Sequence, residues 1–192
     1  MYRLPTSIYV ADKEYKIRDN GDFRIVLECF NALQDIGLSK EERIYSSLII
    51  FLDGMNSIEN LLKLPDIIKA YEEMCKFFNC GQQEVSNNSP NYRLIDWEID
   101  EPLICSAVNN VAGTEIRLAP YIHWWTFMGY YMAVGKSSLS TVVGIRHKIA
   151  THKKLEDYEK TFMRDSPQYF TVDTRSLEQI EIDKEIKSMW NS

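Results

Sequence analysis

The stretch HWWTFMGYYMAVGKSS, residues 123–138, ends in Gly-Lys-Ser, the closing residues of a phosphate-binding loop. Such a loop needs a glycine, four residues and then Gly-Lys-Ser or Gly-Lys-Thr, placed between a strand and a helix. Counting back five places from Gly135 reaches Tyr130, and the nearest glycine lies one place too early. The preceding residues also stay apolar beyond strand length. The spacing therefore argues against nucleotide binding, and we expect Ser137 or Ser138 to cap a helix instead.

The two tryptophans of this stretch belong to an apolar helix expected over residues 121–134. Aromatic and methionine side chains cover most of its circumference and leave only a narrow polar edge. A helix of this kind must be buried against others, so we expect it to form the core of the C-terminal part of the chain. His123 lies on the polar edge. It could act in catalysis, but a hydrogen-bonded structural histidine is the favoured interpretation.

An acidic cluster is the second group of residues that could do chemistry, either as paired carboxylates or as a Mg²⁺ site. Its members are Asp96, Glu98, Asp100 and Glu101. No histidine and no second acidic motif accompanies the cluster. Pro102 is tolerated only in the first turn of a helix, which makes Asp100 a plausible N-cap. We therefore interpret the cluster as the start of a helix rather than as a catalytic or metal site.

The cysteines and histidines offer little further material for a site. Only Cys75 and Cys80 lie near each other, and no second Cys or His pair follows them at metal-ligand spacing. We expect free, mostly buried thiols in a reducing compartment. No Ser-His-Asp or Cys-His arrangement is identifiable by spacing. The residues thus predict a protein that is not an enzyme and has no metal and no cofactor.

Charge and hydropathy argue against two classes of partner. The 192 residues carry a formal charge of −6, which disfavours a protein held on nucleic acid by phosphate contacts. The most apolar window, residues 121–134, is shorter than the roughly 20 residues that a membrane-spanning helix needs. The first ten residues lack the features of a signal peptide. We therefore expect an intracellular protein that binds neither nucleic acid nor membrane.

The remaining pattern predicts a mainly α protein with an N-terminal β-hairpin followed by a helical bundle in two parts. Arms at residues 7–10 and 15–17 flank a turn at Ala-Asp-Lys. In the helix over residues 57–79, Pro65 either splits the helix or starts its longer piece. Helical spacing of apolar residues predicts the helices 23–37, 39–53, 57–79, 100–111, 121–134, 138–151 and 155–164. We expect Ser39 to cap the second of them.

Composition suggests four segments along the chain. Residues 1–79 hold the hairpin and the first helices, and residues 80–95 read as a polar linker. Residues 96–166 form a C-terminal helical part that contains the tryptophan-rich helix. Residues 167–192 form a tail that follows a proline break.

The tail carries its own helix signal. Ser176 and Gln179 have capping-box spacing, and a helix to Trp190 would follow. On a helical wheel one apolar seam gathers Ile182, Ile186, Met189 and Trp190. The seam could dock on the body of the protein or on a partner, and these four residues are the candidate partner-binding residues.

Four stretches of the chain carry motifs that occur together in one protein family. They are LPTSIYVADKEYKIRDNGDFRI, DWEIDEPLICSAVNN, IHWWTFMGYY and STVVGIRHKIATHKKLEDYEK. In the same order, over residues 4–165, the chain resembles a family of small proteins from tailed phages of Gram-positive bacteria and their prophages. That family shows an Asp-Trp-Glu-x-Asp helix start, a His-Trp-Trp-x-Phe helix and an Ile-Arg-x-Lys helix. Pro102 departs from the pattern, and residues beyond 166 lie outside the resemblance.

The resemblance implies a role in phage assembly, because these proteins are encoded just upstream of the tape-measure gene. It implies a tail assembly chaperone that binds the coiled-coil-prone tape-measure protein in the host cytoplasm and hands it to the tail-tube protein. The mechanism would be reversible binding of the client's helices in an apolar groove. The protein could also form a homo-oligomer. The alternative is a structural tail component, such as a tube-completion or connector subunit.

Overall fold

The computed structural model describes residues 3–82, 92–176 and 178–183, and it confirms a mainly α architecture with an N-terminal β-hairpin. The elements are strands β1 (Ser7–Val10) and β2 (Lys13–Lys16), then helices α1 (Phe23–Gln34), α2 (Lys40–Phe51), α3 (Ile58–Leu61), α4 (Ile67–Phe78), α5 (Glu101–Ala112), α6 (Trp124–Met132), α7 (Ser138–Ala150) and α8 (Asp157–Asp165). Single 3₁₀ turns add Arg18–Gly21 and Pro167–Phe170. The described parts of 1–86 and 111–133 form one compact unit, and those of 87–110 and 134–192 form another.

The hairpin closes through a turn of two residues, not the expected three. β1 and β2 are antiparallel, and Val10 pairs with Lys13. Ala11 and Asp12 between them have φ angles of 48° and 60°, as a type I′ turn requires. This turn matches the strand twist, so the second arm begins at Lys13 instead of Tyr15. Ile8 and Val10 are buried and Tyr9 is exposed, in the alternation of a half-buried strand.

Side-chain caps set the starts of the first two helices. The Asp22 carboxylate accepts a hydrogen bond from the backbone N–H of Arg24 at the start of α1. Ser39 and Glu42 form the reciprocal capping box of α2, which confirms the predicted cap. α1 and α2 pack against each other through side chains that include Cys29 and Leu48, both fully buried.

Arg18 organises the end of α2, a role that no sequence pattern predicted. Its Nε donates to the carbonyl oxygen of Ile50 at 2.8 Å, and its Nη2 donates to that of Ile49 at 2.9 Å. The same Nη2 also donates to the carbonyl oxygens of Leu52 and Met55. The last carbonyls of a helix have no partner within the helix, so a guanidinium placed there satisfies them. It thereby fixes the loop that leads into α3.

Pro65 separates two helices, which decides between the two alternatives for residues 57–79. α3 is a single turn capped by the Ser57 side chain, and α4 has 12 residues. The Asp66 side chain caps α4 by accepting from the backbone N–H of Lys69. Because proline disfavours helical geometry in the residue before it, the chain leaves the first helix before Pro65.

The tryptophan-rich helix α6 lies in the first unit and not in a C-terminal core, so that expectation was wrong. Its Phe127 ring stacks on Phe23 of α1 with the centroids 4.7 Å apart. Trp124 contacts Phe30, also of α1, at a centroid distance of 5.7 Å. An apolar helix must be buried, but its periodicity does not say which helices bury it. Here the partners come from early in the sequence.

Helix α7 supplies much of the buried surface of the second unit. The Ser137 side chain caps it in a reciprocal box with Ser140, which confirms the sequence-based interpretation of the Gly-Lys-Ser residues. Its buried side chains are Leu139, Val142, Ile145 and Arg146.

Gly21 and Gly54 have nearly equal φ angles. Substitutions at these two positions therefore distinguish the energetic cost of close packing from that of backbone strain. Gly21 has φ +79° and Gly54 has φ +76°. A Cβ at position 21 would lie 2.7 Å from Cζ of Phe77, whereas one at position 54 would meet nothing within 4 Å. Gly54→Ala should therefore lower the free energy of unfolding by about 1–2 kcal/mol, from left-handed backbone strain alone. Gly21→Ala should lower it by a further ~1–3 kcal/mol through overpacking.

Urea unfolding of the two variants, followed by circular dichroism, gives both free energies. Equal losses at the two positions would contradict the close approach of the Phe77 ring to Gly21.

Candidate functional site

His123 is buried and both of its ring nitrogens are engaged. Its Nδ1 accepts from the backbone N–H of Trp125 at 3.0 Å, which makes it the N-cap of α6. An accepting Nδ1 leaves the ring proton on Nε2, which donates to the carbonyl oxygen of Pro5 at 2.9 Å. Burial lowers the pKa of this imidazole, against the smaller opposing effects of the Pro5 carbonyl and the Asp22 carboxylate. His123 is a neutral structural side chain that joins α6 to the N-terminal segment.

The two tryptophans bind the C-terminal end of α4. Trp124 Nε1 donates to the carbonyl oxygen of Phe78 at 2.9 Å, and Trp125 Nε1 donates to that of Phe77 at 2.9 Å. Both carbonyls belong to the last turn of α4, and that of Phe77 also accepts from the backbone N–H of Cys80 at 3.0 Å. The adjacent tryptophans thus serve both as apolar bulk and as a cap for another helix.

Asp22 and Arg24 hold the loop before α6 in place. The Arg24 guanidinium donates to both carboxylate oxygens of Asp22 at 3.0 Å. It also donates to the carbonyl oxygens of Ile116, Arg117 and Ala119. Asp22 in turn accepts from the backbone N–H of Ile122 at 3.0 Å. The pair therefore ties residues 116–122 to the start of α1.

Asp100 and Arg146 form a fully buried ion pair in the second unit. Their side chains are 0% and 1% exposed, with Nη1–Oδ2 at 2.5 Å and Nη2–Oδ1 at 2.8 Å. The same guanidinium donates to the carbonyl oxygens of Tyr169 and Leu94. Because all five of its N–H directions are used in a planar fork, arginine fits this position and lysine would not. The pair ties α7 to the segment before α5 and to the turn at residues 167–170.

The members of the acidic cluster therefore have separate roles in the fold. One predicted role, that of Asp100 as the N-cap of α5, was wrong. The Asp100 carboxylate is not the cap of α5, because it binds Arg146 and the backbone N–H of Asp96. Asp96 makes the local cap by accepting from the N–H groups of Glu98 and Ile99, and it also pairs with Arg93. The sequence could not predict that Asp100 binds Arg146 instead of capping α5, because the two residues lie 46 positions apart.

Lys148, two residues after Arg146, is paired inside the second unit. Lys148 donates to both carboxylate oxygens of Glu159 at 2.7 and 2.8 Å, which joins α7 to α8. The hydrogen bond from Lys148 lowers the pKa of the Glu159 carboxyl. Glu159 is 4% exposed, so this pair is a packing contact rather than a solvated helix face.

Comparison with known protein families shows which family the chain belongs to. The profile of the Bacteriophage Gp15 protein family matches residues 2–171. The chain belongs to the bacteriophage Gp15 family. No curated protein and no solved structure matches this Gp15 member.

The residues that mark the chain in sequence are those that hold this Gp15 fold together. The Asp-Trp-Glu-x-Asp and Ile-Arg-x-Lys motifs supply the two partners of the buried ion pair, Asp100 and Arg146. The His-Trp-Trp-x-Phe motif supplies the cap of α6, the two indole donors and the ring that stacks on Phe23. The Asp-Phe-Arg motif supplies the Asp22–Arg24 pair.

The tail seam of the Gp15 member is described only in part. The Ser176 side chain accepts from the backbone N–H of Gln179, which confirms the predicted cap, and residues 178–183 are helical. Ile180 is buried, and Ile182 is 49% exposed. The other three candidate partner-binding residues, Ile186, Met189 and Trp190, lie outside the described residues.

Two further observations concern ligands and membranes. Within residues 3–82, 92–176 and 178–183 no group of three or more His, Cys, Asp or Glu side chains could hold a metal ion. No helix in this described part of the Gp15 chain is long and apolar enough to cross a bilayer.

The surface of the Gp15 member instead presents apolar side chains. Among the described residues, the large apolar side chains exposed by more than half are Tyr9, Ile58, Leu62, Ile68, Leu118, Met132 and Tyr158. Three of the seven fall within eleven consecutive residues, 58–68. Apolar side chains grouped at a surface mark binding sites more often than singly scattered ones do, so this segment is the candidate site for a protein partner.

Breaking the buried ion pair of this Gp15 member should destabilise it strongly. Asp100→Ala leaves a buried guanidinium without its counter-charge, which should lower the free energy of unfolding by about 3–5 kcal/mol. The exposed pair Arg164–Asp165 is the matched control, with side chains 74% and 60% exposed. Arg164→Ala should change the free energy by less than ~1 kcal/mol. Urea unfolding measures both, and comparable losses would contradict a structural role for the buried pair.

His123 should make the folded Gp15 protein sensitive to acid. Its pKa is lowered in the fold, so the unfolded chain binds the proton more readily. The stabilising contribution is complete above the unfolded value of about 6.5 and is lost as the pH falls from there through the folded pKa. His123→Asn keeps a side-chain acceptor for the N–H of Trp125 but does not titrate.

The measurement is the free energy of unfolding of both proteins between neutral and mildly acidic pH. The wild-type protein should lose more stability than His123→Asn over that interval. Parallel curves for the two proteins would show that His123 is not the group responsible.

Proposed function

We propose that this Gp15 family member is a tail assembly chaperone, which binds the tape-measure protein and assists tail-tube assembly without catalysing a reaction. Membership of the phage family carries the proposal. The motifs that the chain shares with proteins encoded just upstream of the tape-measure gene supply the specific role. The chaperone would act in the host cytoplasm during assembly and pass its client to the tail-tube protein.

The contacts of the described residues support a binding role over a catalytic one. The histidine, tryptophan and aspartate side chains that first suggested chemistry are engaged in caps, carbonyl contacts and a buried ion pair. Burial also raises the pKa of the Cys29 thiol well above its usual range, so this cysteine is a poor nucleophile. What the described surface offers to another molecule is exposed apolar area, which a chaperone needs to hold an apolar client.

The net charge suits such a role as well. A formal charge of −6 keeps a protein soluble while it presents apolar side chains. A tape-measure protein consists largely of coiled-coil-prone helices, whose apolar stripes would otherwise associate with one another. Reversible docking of those stripes would keep the client soluble and release it when the tube subunits compete.

Co-expression with the neighbouring tape-measure protein tests the proposal. With an affinity tag on the chaperone, the tape-measure protein should move into the soluble fraction and co-purify with the tag. A soluble acidic protein of similar size, tagged in the same way, is the control and should do neither. A tape-measure protein that stays equally insoluble with both partners would contradict the proposal.

Purified mature particles separate the proposed role from the alternative of a structural tail component. The chaperone should be detected during assembly and be absent from finished virions. Stoichiometric amounts in washed particles would instead identify a tube-completion or connector subunit.

A further inference from the structure

The chain continues past the family match as a segment that contacts an earlier part of the second unit. The Gp15 profile ends at residue 171, and the structure describes residues 172–176 and 178–183 beyond it. We call these residues the tail strap. The backbone N–H of Arg93 donates to the carbonyl oxygen of Thr174 at 3.0 Å. Ile180 is buried, although the preceding Glu178 and Gln179 are exposed.

The tail strap is also bonded to itself. The Arg175 guanidinium donates from Nε to both carboxylate oxygens of Asp173 at 2.9 and 3.1 Å, and from Nη1 to the carboxylate of Asp183. The Ser176 hydroxyl accepts from the backbone N–H of Gln179 and caps the helix at residues 178–183. Because both partners of each contact belong to the strap, these contacts are kept when the strap moves as one body.

The residue after Arg93 connects the strap to the buried ion pair. The carbonyl oxygen of Leu94 accepts from Nη1 of Arg146 at 2.9 Å. Arg93 therefore binds the strap through its N–H, while the next carbonyl binds the guanidinium. The other partners of that guanidinium, Asp100 and Tyr169, both precede the strap in sequence. The ion pair can thus stay closed while the strap is open.

Burial of the strap rests on one apolar side chain. Among its described residues Ile180 alone is buried, and the others are half-buried or exposed. One aliphatic side chain contributes a small part of the stability of a domain. A segment that keeps its internal contacts and exposes little apolar area opens locally far more often than the domain unfolds.

We propose that the tail strap closes on the second unit through Ile180 and Thr174 and opens without unfolding the rest of that unit. In the closed state the strap withholds Ile180 from other molecules and holds residues 92–96 where Arg146 binds them. In the open state Ile180 and the N–H of Arg93 become accessible together. The strap is a conformational device of this chain that goes beyond the chaperone function and does not depend on it.

Limited trypsin digestion of the full-length protein tests the role of Ile180. Trypsin must bind the Arg175 side chain, which the closed strap holds against two aspartates. Ile180→Ser should speed cleavage after Arg175 by at least about tenfold, measured by mass spectrometry of the fragments. Ile182→Ser is the matched control, because Ile182 is 49% exposed and lies about 200° from Ile180 on the helical wheel. It should cleave at the wild-type rate.

Two outcomes of the digestion would overturn the proposal. Equal rates for all three proteins would show that Ile180 does not hold the strap closed. Equal acceleration by both substitutions would show that the strap is sensitive to any change in its helix and is not anchored at Ile180.

Hydrogen exchange of the unaltered protein tests whether the strap opens on its own. The slope of the opening free energy against urea grows with the surface that the opening exposes. The Arg93 amide, which the strap covers, should therefore exchange through an opening that low urea scarcely changes, whereas buried amides of α7 should show a steep dependence. The same steep slope at both places would mean that the strap opens only with the whole unit, and the proposal would fail. Neither experiment involves the tape-measure protein, so their failure leaves the chaperone proposal standing.

Discussion

Buried polar groups must be paired, and the interior of this protein depends on side chains that meet that requirement over long distances in sequence. An unpaired carbonyl, N–H or charge away from water costs several kcal/mol, of the order of the whole stability of a domain. Here Arg146 serves two segments of backbone and the Asp100 carboxylate together, while Trp124 and Trp125 serve the end of α4. Each contact joins elements that hydrophobic burial alone would leave free to slide.

The side chains that first suggested chemistry belong largely to the structural interior. A histidine, two tryptophans and an acidic cluster resemble the parts of an active site when they are read along the chain. In the fold His123 and Trp124 are buried and bonded to backbone, and Asp100 is buried against Arg146. The aliphatic side chains of Ile58, Leu62 and Ile68 are the opposite case, since more than half of each is exposed.

Sequence patterns predicted the structures that depend on neighbouring residues. They did not predict contacts between residues that lie far apart in the chain. Ser39, Ser137 and Ser176 act as helix caps where their spacing indicated, because a cap depends on residues three or four places away. The hairpin, the α6 helix and the mainly α class followed from periodicity in the same way. The role of the Asp100 carboxylate and the packing of α6 on α1 did not follow from periodicity, since the partners of both lie far away in sequence. The exposure of Ile58, Leu62 and Ile68 was not predicted either, because an amphipathic pattern shows which residues are apolar but not which of them stay outside.

The central claim is that the residues marking the family stabilise the interior through contacts between distant parts of the sequence. Hydrogen–deuterium exchange of the full-length wild type and of Arg146→Lys tests it most directly, because lysine keeps the charge but loses the planar fork. Exchange should become faster at the amides of residues 94–100 and 167–170, which Arg146 holds. Unchanged exchange in both segments would contradict the account.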